Sequence, residues 1–111
     1  MAAYQQRAAH IEGARRDLPE AEQRALALGL DLSVNLDNLS ITLRDKLTHL
    51  QDFLSEEPSW QMSRFISQGI YDPEEAKNQL REKDAERRRV EQQIEVLREV
   101  RHLRDIAAQK T

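Results

Sequence analysis

Asp45, His49 and Asp52 are the group whose residue types and spacing could support acid–base chemistry, because steps of four and three bring all three to one face of a helix. A carboxylate beside an imidazole can orient it as a general base or supply half of a metal site. The plainer reading is a solvated polar face opposite Leu47, Leu50 and Leu54. His10 and His102 lie on separate segments, and no histidine has a second one three or four residues away, so the helical zinc pattern is missing. Gly13, Gly29 and Gly69 stand too far apart for a phosphate loop, and the absence of cysteine removes thiolate metal sites and a thiol nucleophile. The sequence therefore predicts no catalytic, cofactor-binding or metal-binding residues and a protein that is not an enzyme.

The second candidate is the basic run Arg87-Arg88-Arg89, which with Arg81 could touch phosphates from one helix face if a dimer doubled the patch. It lies within Arg81–Glu91, where acids nearly match bases. Asp84 stands four residues before Arg88 and Glu86 three before Arg89, so a helix laced with weak ion pairs explains the run as well. No aromatic residue interleaves these arginines, which argues against stacking on single strands. The formal charge of −3 is uneven: residues 1–72 carry seven Lys and Arg against eleven Asp and Glu, and residues 73–111 carry ten against nine. Neither half has the concentrated positive field that drives phosphate binding.

The third candidate is apolar. Trp60, the single tryptophan, is followed by Met62, Phe65, Ile70 and Tyr71, a mixture suited either to a partner-binding hot spot or to the core of a chain with few other large side chains.

The elements that must position these residues are helical. Charged residues make up 33% and aromatic residues 5% of the 111, so the core is mostly Leu, Ile, Val and Ala, as in helix packing and coiled coils. Asp72-Pro73-Glu74-Glu75 is a helix start: a capping carboxylate, a proline where its missing N–H costs nothing, and acids at the positive helix end. From Pro73 to Thr111 neither glycine nor proline intervenes, and about 38 residues could run as one rod of roughly 57 Å. Its first apolar stripe is Ala76, Leu80, Val90, Ile94 and Leu97, interrupted by Lys83 and Arg87. Val96, Val100, Leu103 and Ala107 form a second stripe in the last third, so that end should meet more than one neighbour, a second copy included.

Upstream, residues 2–16 read as a short Ala-rich helix carrying Tyr4, Ala8 and Ile11, and Asp17-Leu18-Pro19-Glu20 as the start of a second helix from about Leu18 to Leu28. Between 30 and 43 two periods compete. Leu32, Leu36, Leu39, Leu43, Leu47, Leu50 and Leu54 make a helical stripe. Alternation of apolar and polar residues about an Asp37-Asn38 turn instead pairs Leu36 with Leu39, Val34 with Ile41 and Leu32 with Leu43, and this hairpin also accounts for Leu30, which the helix leaves on the wrong side with Val34 and Ile41. Such a hairpin needs cover on its apolar face to be stable. A short helix follows Pro58 and should stop near Gly69.

The expected fold is mainly α: a single domain with a compact helical part at 1–71 and a long, coiled-coil-like C-terminal helix at 72–111 that projects, with a central β-hairpin at 30–43 or, as the alternative, an all-α helical bundle. The expected function is a protein–protein interaction module, an adaptor, chaperone or assembly component that self-associates or docks on a partner. Leu80, Val90, Ile94, Leu97, Val100 and Leu103 are the expected contact, with Trp60, Met62 and Phe65 as a second. A dimeric nucleic-acid-binding accessory protein acting through Arg81, Arg87, Arg88 and Arg89 is the alternative. No apolar stretch approaches the ~18 residues of a membrane span, and the N-terminus lacks a signal-peptide core, so the chain is read as complete, cytoplasmic and without a membrane partner.

Overall fold

A computed structural model describes the backbone of residues 2–110 and the side chains from Gln5 to Lys110. Four α-helices follow one another: α1 (Ala2–Ala27), α2 (Leu36–Ser55), α3 (Pro58–Ser67) and α4 (Pro73–Ala107). Tyr4, expected with Ala8 and Ile11 on the helix at 2–16, lies outside the described side chains.

α1 replaces the two helices expected on either side of Asp17. Pro19 lies inside it on the exposed face, where the ring can lodge without entering the core. A proline there gives no amide to the carbonyl of Arg15 and costs about 3 kcal/mol in a helix interior. Continuity is sustained by Ala14, Ala21 and Ala25, which are buried on both sides of the proline; each is small enough for the backbone to approach a neighbour closely. α1 ends in a Schellman motif: Gly29 adopts a positive φ of 81°, its N–H reaches the Leu26 carbonyl at 2.9 Å, and the Leu30 N–H reaches Ala25 at 3.1 Å. Leu30 is thereby folded back into the core.

Residues 30–43 do not form the hairpin. Asp31 accepts from the Ser33 N–H at 2.9 Å, and the Asn35 side chain accepts from Asp37 N (2.9 Å) and Asn38 N (3.1 Å), capping a helix that begins at Leu36. The cap satisfies two otherwise orphaned amides, and Leu36, Leu39, Leu43, Leu47 and Leu50 then line one face. The helical pattern overrides the alternation. Of the three residues it misplaces, Leu30 is buried by the Schellman turn, while Val34 and Ile41 stay exposed.

α4 starts as expected, with Asp72 accepting from Glu74 N at 3.0 Å, and serves as the spine of the molecule. It does not project: α1 and α2 both pack along it. Pairings such as Arg24 with Glu99 and Arg104 with Glu22, and Lys46 with Glu86 and Arg101 with Asp37, show that α1 and α2 each run antiparallel to α4. Ala21, Ala25, Leu30, Leu43, Leu50, Val90, Leu97 and Val100 form the main core, with Ile94 and Leu103 packed against it. The main core draws on both parts of the chain. Ile11, Ala14 and Ile106 close the far end.

Side chains cap across the helices. Arg89 and Gln93 donate to the Leu28 carbonyl at 3.2 and 2.8 Å, while Arg15 donates to Ala107 and Gln109 carbonyls, both at 3.0 Å. α1 and α4 thus satisfy each other's C-terminal carbonyls, and each arginine also complements the negative helix end.

Candidate functional site

α3 is short, so its position depends on what it grips. Pro58 occupies its first turn. Gln61 donates to the carbonyls of Phe53 and Leu54 at the end of α2, at 3.0 and 3.4 Å. Phe65 meets Phe53 edge-on with ring centroids 5.8 Å apart, and Gly69 and Ile70 close the helix with a second Schellman turn, Ile70 N reaching Phe65 O at 2.8 Å. Arg64 pairs with Glu56 and stands over the Phe53 ring at 5.9 Å.

An open groove of about 440 Å³ results between α2, α3 and α4. Leu50, Phe53 and Phe65 form its apolar lining, Lys46, Arg64 and Lys83 bring three positive charges, Glu86 brings one negative charge, and His49, Gln68 and Gln79 complete the walls. Lys46 contacts Glu86 at 2.9 Å, and this bond, the largest influence, holds the Glu86 carboxyl below its usual range. His49 Nδ1 lies 2.7 Å from the Asp45 backbone carbonyl, and because a carbonyl oxygen only accepts, Nδ1 is the donor in that bond. The imidazole is oriented by a main-chain oxygen and not by the Asp45 or Asp52 carboxylates the sequence offered. Among the described residues no group of three or more His, Asp or Glu side chains is placed to hold a metal ion.

The structure divides the residues expected at interfaces. Val90, Leu97 and Val100 are buried inside the chain's own core, with Ile94 and Leu103 half-buried beside them and Leu80 half-buried farther along α4. In this fold Val90, Ile94, Leu97, Val100 and Leu103 pack with residues of α1 and α2. Phe65 is buried, whereas Trp60 (66% exposed), Met62, Ile66 and Tyr71 (73% exposed) present apolar surface to solvent. Helical spacing puts Met62 and Ile66 together on one flank of α3 and Trp60 on another.

The arginines are largely engaged. Arg87 binds Asp84 at 2.8 Å and Glu91 at 2.9 Å, Arg88 binds Asp84 at 2.6 Å, and Arg89 caps α1. The Arg87 hydrogen bond is the main cause of a lowered Asp84 pKa, and the Asp84 bond in turn raises that of Arg87. Among the described residues Arg81 reaches only Asn78, at 3.4 Å.

Sequence reasoning missed the groove because its residues come from three elements. One signal was visible: Lys83 interrupts the apolar stripe of α4 between Leu80 and Val90, where a leucine would have continued a closed seam. Comparison with protein-family models, with curated proteins and with solved structures finds no match. Among the described residues no helix is long and apolar enough to cross a membrane.

Proposed function

We propose that this chain is a non-enzymatic protein-interaction module, an adaptor, chaperone or assembly component, that docks a partner polypeptide or a second copy of itself through α3 and the residue after its closing turn. The observation that carries this reading is the exposure of Trp60, Met62, Ile66 and Tyr71 within twelve residues, in a chain with only five aromatic residues. Tryptophan and tyrosine supply large contact area at low entropic cost and dominate binding hot spots. Phe65 anchors α3 from beneath, so the exposed side chains are held on a seated helix. A cytoplasmic location, which a cysteine-free chain fits, belongs to the same reading. The nucleic-acid alternative is weakened by the internal bonds of Arg87, Arg88 and Arg89, which would compete with phosphate.

The test is mass in solution by light scattering over a tenfold concentration range, combined with capture of binding proteins, for the unaltered chain and for Trp60→Ser combined with Ile66→Ser. Oligomers or captured proteins that the double variant loses while keeping its helical spectrum support the reading. A monomer that captures nothing, or association indifferent to both substitutions, overturns it.

A further inference from the structure

The groove between α2, α3 and α4 differs in character from the exposed side chains of α3. Its lining carries three cations, two of them paired, Lys46 with Glu86 of the lining and Arg64 with Glu56 beside it, which leaves an excess of one positive charge in a chain whose net charge is −3. The cations stand around an apolar lining in which Leu50 and Phe65 are almost wholly buried from solvent. Small-molecule sites enclose most of their ligand's surface, and this groove is too open for that. It suits a side chain that enters while the rest of its polypeptide stays outside.

We propose that this groove binds an acidic segment of another protein, with one large apolar side chain of that segment against the half-buried Phe53 and its carboxylates beside Lys83, Lys46 and Arg64. Charge complementarity selects the occupant. Lys46 and Arg64 already contact Glu86 and Glu56, so an incoming carboxylate shares them, and Lys83 on α4 supplies the remaining positive charge. The amides of Gln68 and Gln79 offer both donors and acceptors to a peptide backbone. Arg64, placed over the Phe53 ring, joins the apolar and charged parts of the site. This inference rests on the reading of the chain as a protein-interaction module and specifies the chemistry of one partner.

The experiment is a fluorescence-anisotropy titration of the full chain with a labelled peptide of alternating Glu and Phe, and with matched peptides carrying Gln or Lys in place of Glu. Binding of the acidic peptide at least about tenfold tighter than the Gln peptide at low salt, weakening as salt rises, is the expected result. Lys83→Glu should reduce that affinity by about tenfold or more, and Lys83→Arg should preserve it. Equal affinity for the acidic and Gln peptides, no binding at millimolar peptide, or indifference to Lys83→Glu in a chain that keeps its helical spectrum overturns the site. Oligomers of the unaltered chain that the acidic peptide dissociates overturn the assignment to another protein, because a second copy then fills the groove. Trp60 and Ile66 do not line the groove, so its failure leaves the α3 contact standing, and loss of that contact leaves the peptide titration valid.

Discussion

Leu97 and Lys83 lie on the same helix and face different surroundings. Leu97 is 1% exposed, among the largest of the fully buried side chains, and replacing it with alanine leaves a cavity between α1, α2 and α4. Leu97→Ala should therefore lose about 2–4 kcal/mol of stability, read as a lower urea midpoint by circular dichroism with mass unchanged. A fall in mass at unchanged stability would instead place Leu97 at an intermolecular contact. The sequence made Leu97 visible as an apolar residue on the correct stripe but gave no sign of what covers it, since a stripe buried inside a chain and one buried between chains have the same spacing. The same ambiguity affected Phe65 and Trp60. Phe65 follows Gln61 by one helical turn and faces α2 with it, while Trp60, one residue earlier, is turned away.

At the scale of elements, local punctuation was reliable where several cues agreed. Asp72-Pro73-Glu74-Glu75 combines a cap, a first-turn proline and favourable charge, and α4 begins there. Asp17-Leu18-Pro19-Glu20 offers similar residues, yet α1 runs through it, because burial of Ala14, Ala21 and Ala25 against α4 outweighs one missing hydrogen bond. Pro19→Ala restores that bond and should raise stability by about 1–3 kcal/mol, measured as an increased urea midpoint. A decrease would mean that the ring itself contributes packing. The alternation at 30–43 matched a hairpin residue for residue, but a two-stranded ribbon has only cross-strand pairs to stabilise it. The helix gains Asn35 as its cap and a leucine face against α4, at the expense of leaving Val34 and Ile41 in water. The groove was least legible, since Lys46, Arg64 and Lys83 become neighbours only once three helices have docked.

At the scale of the molecule, α4 gives the protein its form. The principal extents are 68 × 22 × 21 Å and the radius of gyration is 20.0 Å, against about 13 Å for a compact domain of this length. The accessible surface of 7979 Å² likewise exceeds the roughly 6,300 Å² expected for a compact monomer of this mass. Small-angle X-ray scattering of a dilute, monodisperse sample should give a radius of gyration near 20 Å, and a value near that of a compact domain would refute the extended arrangement. The sequence indicated the rod and the two apolar faces at its C-terminal half. The neighbours that cover those faces are α1 and α2, which the turns at Gly29 and Gly69 allow to return along it. Ile11 packs beside Ile106 and Arg15 holds the Ala107 carbonyl, so the first half of α1 and the end of α4 lie at the same end of the molecule. Lys83 and the groove lie roughly 36 Å along α4 from Ala107 at 1.5 Å per residue. A surface, tag or fused domain attached at the end of α4 therefore grips the molecule by a handle and points the groove away from the attachment.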